Sequence, residues 1–320
     1  MQQSTASRWL SAIDFASKQD DIECFWNEKV KILTFDRGDG IKIRVALAEP
    51  ELFHTTIVVI PGRGETAHKY AEFLYCTYKI GIKVAVLFAR GQGIADRLLK
   101  NRQKCHIIDF NDETLDINYM INKLNLNNFG LLAFSLGGLF ALDLVFSAKT
   151  LPRKVALIAP FLWPHTSLSP WLLKTIVHTL GSLPFIKDCF TPYGKEYKQV
   201  LFKDNYHSHC QIRYEAYHDY YQKHPELTIG SPTWGFVHQT LKKQQSLFKT
   251  TKELPVPMLI QTAQFDKVVS TKATNRFFSL HSSNHNQPIV LSLPSSYHDV
   301  LNENDEIRNT ALNRALDFLS

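Results

Sequence analysis

The sequence predicts an α/β fold with a mostly parallel central sheet, helices on both faces and an inserted helical cap. Three observations predict it. Short apolar runs recur along the chain, each too short for a helix and too continuous for a strand with one face in water. Helix-sized segments separate the first of these runs, as crossovers between parallel strands require. A long stretch of different, aromatic-rich character then interrupts the pattern.

The elements follow in order from these runs. Two β-rich runs, residues 30–35 and 41–48, flank a glycine-containing loop and predict a hairpin. Six apolar runs predict strands buried on both faces, at residues 55–60, 83–88, 129–134, 154–159, 258–262 and 288–293. Helical segments are expected at residues 67–78, 113–124 and 136–148, with a last helix from Asn302 onward.

The interruption divides the chain into three parts. Residues 1–160 are expected to form the first part of the core, 161–254 a helical cap, and 255–320 the second part of the core. Prolines are expected to break the cap into short helices. Its tryptophans, Trp163 and Trp234 among them, either line an apolar pocket over the strand ends or form the cap's own core.

The strongest functional signal is a serine enclosed by small residues. Residues 129–138 read Phe-Gly-Leu-Leu-Ala-Phe-Ser-Leu-Gly-Gly. This pattern is typical of a nucleophile elbow, a sharp turn from a buried strand into a helix that leaves room only for small neighbours. Ser135 is therefore the candidate nucleophile. Read alone, the pattern also fits a serine that caps a helix.

An acid and a base follow the later strands in the order that such an elbow requires. Asp266 comes just after the strand at 258–262, and His298 follows the strand at 288–293 and a short turn. Either residue alone also fits an ordinary loop. Together with Ser135 they predict a catalytic triad.

A loop after the third strand, residues 60–65, contains two glycines and is expected to supply an oxyanion donor. The backbone amides of Arg63 and Leu136 are the two predicted donors. Viewed alone, the glycines fit a turn that enters a helix equally well.

The chain resembles the α/β-hydrolases of the monoacylglycerol lipase and serine aminopeptidase branch, and within it the bacterial lysophospholipases. The resemblance rests on six motifs besides the elbow, at residues 61–65, 69–70, 90–93 with Arg97, 110–112, 230–234 and 297–299. Ala133 stands where these relatives usually have glycine, and Ala95 where they often have serine. The resemblance implies a serine hydrolase that acts on single-acyl glycerolipids through Ser135, Asp266 and His298.

The predicted reaction is cleavage of a carboxylic ester through an acyl-enzyme, without a metal or organic cofactor. Trp163 and Trp234 are candidates for the acyl pocket. Arg90 and Arg97 either meet a phosphate head group or form structural ion pairs. The alternatives are a short-acyl esterase or thioesterase, a peptidase like proline iminopeptidase, and a binding protein without catalysis. The residues leave open the head group, the acyl length, and hydrolysis against acyl transfer.

Composition excludes several other classes. Five scattered cysteines without C-x-x-C spacing argue against a disulfide framework. The net charge of +6 without a basic run gives no support for nucleic-acid binding. Residues 207–210 with His218 and His224 lack a standard zinc spacing. We expect a cytoplasmic protein without a spanning helix or secretory signal, for which peripheral contact with the inner membrane remains open.

Overall fold

A computed structural model describes residues 8–282 and 287–320. Its centre is one eight-stranded sheet with the strand order β1-β2-β4-β3-β5-β6-β7-β8. The strands are β1 Val30–Asp36, β2 Lys42–Ala48, β3 Thr55–Ile60, β4 Ile82–Phe88, β5 Gly130–Phe134, β6 Lys154–Ile158, β7 Met258–Ala263 and β8 Ile289–Leu293.

Only β2 runs opposite to the other strands. The β1–β2 hairpin pairs antiparallel, and β2 pairs antiparallel with β4. Every later pairing, from β4 through β3, β5, β6 and β7 to β8, is parallel. The predicted mostly parallel α/β sheet is confirmed, and its parallel strands end at one common edge.

Helices cover both faces of the sheet. They are α1 Ala12–Ser17, α2 Gln19–Lys29, α3 Ala71–Lys79, α4 Phe110–Lys123, α5 Leu136–Ser147, α6 Pro170–Ser182, α7 Gln211–Lys223, α8 Trp234–Lys249, α9 Thr271–Leu280 and α10 Asp305–Leu319. Along β3 the buried side chains alternate between two hydrophobic clusters. One cluster contains α4, α5 and α9, and the other contains α2, α3 and α10. The core is therefore two apolar layers on either side of one sheet.

The last strand differs from the prediction. Every residue of β3, β5 and β7 is buried, as expected for strands covered on both faces. In β8, however, Ile289 is 48% and Val290 is 38% exposed. This strand lies at the edge of the sheet and has a neighbour on one side only. The prediction that it is buried on both faces is wrong, because an apolar run does not reveal which strand is outermost.

The inserted segment carries three full helices, α6, α7 and α8. The prediction of short helices is wrong, because the prolines begin or follow helices instead of interrupting them. Pro170 is the first residue of α6, and Pro184 follows its end. Helix α8 packs against α6 and also reaches α4 of the core. The boundaries at 160/161 and 254/255 stay a prediction.

None of the helices that the structure describes is long and apolar enough to cross a bilayer. All five cysteines are free thiols.

Candidate active site

Ser135 occupies a strained turn between β5 and α5. Its backbone has φ 50° and ψ −115°, a conformation that residues other than glycine rarely adopt. Three backbone hydrogen bonds hold it there: Ser135 donates to the carbonyl of Ile158, and its own carbonyl accepts from Gly138 and Phe161. The turn aims the hydroxyl at the edge where the parallel strands end.

Glycine is required directly after this turn. A methyl group on Gly137 would lie 2.1 Å from the carbonyl oxygen of Ile60, and one on Gly138 would lie 2.7 Å from Cβ of Pro160. Both distances are shorter than any real carbon contact. The small residues of the motif therefore let the elbow approach the end of β3 and the residues just after β6. Ala133, where relatives usually have glycine, is buried inside β5 and pairs with Ile60 of β3.

The structure brings the three predicted triad residues together. His298 Nε2 lies 2.9 Å from Ser135 Oγ, and His298 Nδ1 lies 2.7 Å from Asp266 Oδ2. Because a carboxylate only accepts, the proton of a neutral His298 belongs on Nδ1, which leaves Nε2 to accept from the serine hydroxyl. All three side chains belong to buried residues. The arrangement can remove a proton from Ser135 and stabilise the imidazolium that forms.

Neighbouring groups orient the carboxylate of Asp266 and surround the imidazole of His298. Asp266 Oδ1 accepts from the amides of Val268 and Val269 at 2.8 Å each, so its other oxygen is aimed at His298. The imidazole of His298 packs 5.2 Å from the ring of Phe134 and 6.3 Å from the ring of His207. Burial, followed by the nearby His298, lowers the pKa of His207 to about 4. His207 is therefore neutral at physiological pH.

The backbone amides of the loop after β3 differ in their hydrogen bonding. The amides on either side of Arg63 are already used: Gly62 donates to Glu65 Oε2 at 2.6 Å and Gly64 donates to Gln92 Oε1 at 3.2 Å. Among the described residues, the amide of Arg63 has no acceptor. Leu136 is the first residue of α5, where an amide lacks an intrahelical partner. These features are compatible with two oxyanion donors, and the role of both amides stays a prediction.

A buried ion cluster beside the triad was not predicted from the sequence. Lys69 Nζ pairs with Glu65 and lies 2.8 Å from Asp299 Oδ2, next to the base. Burial would lower the pKa of Lys69, but the carboxylates of Asp299 and Glu65 outweigh it and raise that pKa. The Asp299 amide also donates to the carbonyl of His207 at 2.8 Å. The cluster therefore joins three parts of the structure: the loop after β3 (residues 60–65, called the oxyanion loop below), the loop that carries His298, and the cap. In the sequence, only the four-residue spacing of Glu65 and Lys69 indicates part of this ion cluster.

Of the two open interpretations of Arg90, the structure favours the ion pair. Its Nε lies 2.8 Å from Asp116 Oδ2, and its Nη2 lies 2.9 Å from Asp116 Oδ1 and 2.6 Å from Asp39. Asp116 is fully buried. Since these donors are engaged in the core, we do not assign Arg90 to substrate.

The two tryptophans lie at different borders of the cap. The Trp163 carbonyl accepts from Ser270 at 2.8 Å, which places it beside the loop that carries Asp266. Trp234 begins α8, and its amide donates to Cys189 within the cap. Their assignment to an acyl pocket stays a prediction. The described residues contain no group of three or more histidines, cysteines and carboxylates that could hold a metal.

Comparison with known proteins gives one family and one fold. A family model described as serine aminopeptidase, S33, matches residues 53–305. Lysophospholipase L2 of Escherichia coli K12 is 24% identical over 305 residues, covering 92% of this chain and 89% of that protein. A probable lysophospholipase L2 of Haemophilus influenzae is 27% identical over 285 residues, covering 86% and 87%.

Solved structures add a likeness of fold. A soluble variant of monoglyceride lipase from Saccharomyces cerevisiae, in complex with a substrate analog, gives a TM-score of 0.69 at 14% identity, covering 91% of this chain and 96% of that one. The monoacylglycerol lipase of Paleococcus ferrophilus gives 0.66 at 14% identity, covering 86% and 98%.

Proposed function

We infer the function starting from the family, since this chain belongs to the serine aminopeptidase S33 family. It is a serine hydrolase with the α/β-hydrolase fold. We propose that it cleaves the acyl ester of single-acyl glycerolipids, lysophospholipids or monoacylglycerols. The proposal is carried by the placement of His298 within hydrogen-bond distance of both Ser135 and Asp266. The names of the lysophospholipase and monoglyceride lipase relatives support the substrate class.

In this proposal Ser135 Oγ attacks the ester carbonyl while His298 Nε2 takes its proton. The amides of Arg63 and Leu136 stabilise the oxyanion. His298 then returns the proton to the leaving glycerol oxygen, and an acyl-Ser135 intermediate remains. Water, activated by the same imidazole, releases the fatty acid and restores the serine. Asp266 keeps the imidazole in the required tautomer throughout.

The charges beside the site argue against the peptidase alternative. An aminopeptidase needs an acidic group that is free to bind the amine of its substrate. Here Asp266 is bound to His298, while Glu65 and Asp299 share Lys69. Because each of these carboxylates already has a cationic or hydrogen-bonding partner, none of the three is available for a free amine.

The test is a substrate series on purified protein. A lysophospholipid and a monoacylglycerol should be hydrolysed, a diacyl phospholipid of the same acyl length should be a poor substrate, and a fluorophosphonate should label the protein. Ser135→Ala should lose both turnover and labelling, the turnover by several orders of magnitude. Labelling that persists in Ser135→Ala, or equal rates on one-chain and two-chain lipids, would contradict the proposal.

We also propose that the cap contacts a lipid surface. Among the described residues, the segment 163–206 carries nine of the twenty large hydrophobic side chains that are exposed. Trp171 is 74% and Phe185 is 92% exposed. The same segment has five lysines and three acidic residues, a balance that favours an anionic surface. Aromatic side chains with flanking lysines are typical of interfacial binding.

Vesicle co-sedimentation tests this contact. Trp171→Ser with Phe185→Ser should reduce binding to vesicles that contain anionic lipid, while Leu52→Ser should not. Leu52 is a matched control, since it is 88% exposed and lies between β2 and β3, outside the segment. Equal binding by both variants and the unaltered protein would contradict the proposal.

A further inference from the structure

Two arginines between the core and the cap lack a carboxylate partner. Arg63 lies on the oxyanion loop, and Arg97 lies in the loop that follows β4. Among the described residues, neither has an aspartate or glutamate oxygen within ion-pair distance, in contrast to Arg90 and Arg213. Each donates to a backbone carbonyl instead. Arg63 Nη1 lies 2.9 Å from the oxygen of Gly230, and Arg97 Nη2 lies 3.2 Å from the oxygen of Leu227.

Both guanidinium groups therefore flank one short cap segment, residues 227–230. That segment packs against the oxyanion loop, because a methyl group on Gly64 would lie 3.6 Å from Cβ of Ile229. The hydroxyl of Tyr221 also donates to the carbonyl of Gly64. The side chain of Arg63 starts from the residue whose amide is a proposed oxyanion donor. The positive charge of Arg63 is therefore tethered by its own side chain to the loop that would bind the ester oxygen.

The positive charge between the core and the cap has no carboxylate partner among the described residues. Residues 97–104 contain four cations and no acid, and no carboxylate that the structure describes pairs with any of them. Burial, together with the nearby Arg102, lowers the pKa of Arg97 to about 10, so the guanidinium still carries its charge at neutral pH. Arg97 Nε is buried without a hydrogen-bond partner. Arg97 as a whole is partly buried, and a partly desolvated cation without a counterion is costly; a bound anion would reduce that cost.

We propose that Arg63 and Arg97 form a subsite for the phosphate of a lysophospholipid head group. In such a lipid the three carbons of glycerol separate the acyl ester from the phosphate. A guanidinium rooted in the oxyanion loop is positioned for that separation, and planar donors suit phosphate oxygens. This inference rests on the proposed ester hydrolysis and narrows its substrate to phosphate-bearing lipids. Monoacylglycerols would lack the added contact.

The experiment compares two substrates with the same acyl chain, a lysophosphatidylglycerol and a monoacylglycerol, presented in neutral detergent. The quantity measured is the ratio of their kcat/KM values. Arg97→Met and Arg63→Met should each lower this ratio at least about tenfold, as expected for the loss of a hydrogen bond to a charged group. Arg97→Lys, which keeps a point charge, should lower it less.

Arg153→Met is the matched control. Arg153 donates to Thr55 Oγ1 and to the carbonyl of Leu319, at the opposite end of the strands, and pairs with no described carboxylate. Its replacement should leave the ratio unchanged. A ratio that stays within about twofold in the Arg63→Met/Arg97→Met double variant, with both lipids hydrolysed, would overturn the subsite and leave the proposed function standing.

A second measurement does not depend on turnover. In Ser135→Ala protein, sn-glycerol 3-phosphate at millimolar concentration should raise the melting temperature, and Arg97→Met should remove that shift. This shift supports the subsite even if neither lipid is hydrolysed, which would count against the proposed function alone. No shift would overturn the subsite. An equal shift with inorganic phosphate, together with an unchanged substrate ratio, would overturn the head-group assignment in favour of free phosphate.

Discussion

Replacing Lys69 by methionine tests whether the buried ion cluster positions the catalytic loops. The Lys69 side chain is only 6% exposed, and its ammonium lies 4.9 Å from the ring centre of Tyr217 and 5.6 Å from that of Phe134. Methionine has a similar length and keeps the apolar packing, but it removes the cation. The carboxylates of Glu65 and Asp299 then remain buried without their shared partner.

The expected loss of stability is large. Breaking a buried ion pair by removing one partner costs about 3–5 kcal/mol, against a total of about 5–15 kcal/mol for a native domain. The pH dependence follows from the same contacts. Burial would raise the pKa of Asp299, but Lys69 outweighs it and lowers that pKa. In the variant burial dominates, so the native state takes up protons as pH falls, and the deficit in stability shrinks towards acidic pH.

Catalysis should also fall, because Glu65 holds Gly62 of the oxyanion loop and Asp299 is next to the base. A displacement of about 1 Å in a reacting group can cost about a hundredfold in rate. We expect this loss mainly in kcat, because the cluster orients the loops that carry the reacting groups. Urea unfolding by tryptophan fluorescence and steady-state kinetics on a soluble ester measure the two effects.

Two further variants sharpen the test. The triple variant Lys69→Met/Glu65→Gln/Asp299→Asn removes all three charges and should recover most of the lost stability. Lys83→Met, which breaks the exposed pair with Glu49, should cost less than about 1 kcal/mol. The reasoning is refuted if Lys69→Met unfolds at the urea concentration of the unaltered protein and retains its kcat.

Three other perturbations have defined outcomes. Asp266→Asn should remain folded by circular dichroism and lose roughly four orders of magnitude in kcat; near-normal turnover would remove Asp266 from the triad. Gly137→Ala should lower the free energy of unfolding by about 1–3 kcal/mol or more, seen as a lower urea midpoint, because its methyl overlaps Ile60; an unchanged midpoint would contradict the close approach. Burial raises the pKa of Glu113, whose carboxylate oxygens have no partner among the described residues. Glu113→Leu should therefore stabilise the protein by about 1–3 kcal/mol at pH 8, with a gain that shrinks towards pH 5; a constant gain would contradict the assignment.

Most strands could be predicted because a buried parallel strand is visible in the sequence as a short apolar run. The third strand was predicted at residues 55–60, where β3 lies, and the other strands agree within about two residues. The two errors have the same origin. Apolar runs and prolines describe a segment by itself, whereas the exposed edge of β8 and the length of the cap helices depend on what packs beside them.

The candidate site likewise has residues that the sequence predicts and contacts that only the fold reveals. Ser135, Asp266 and His298 each follow a recognisable strand, and the topology of the fold carries all three strand ends to one edge. The ion pair between Lys69 and Asp299 joins residues 230 positions apart, and no short-range pattern announces it. Likewise the sequence offered Arg90 and Arg97 as equivalent arginines, and only the fold decides which one meets a carboxylate.

The presence or absence of carboxylate partners makes the charge around the site asymmetric. On the side of the base, the charges of Glu65, Lys69 and Asp299 are balanced within the protein. On the side of the cap, Arg63 and Arg97 donate to carbonyls and have no carboxylate partner among the described residues. A neutral ester alone would gain nothing from the two unpaired cations, and a free amine would be repelled by them. The asymmetry therefore favours a substrate in which an acyl ester and an anionic phosphate are part of the same molecule.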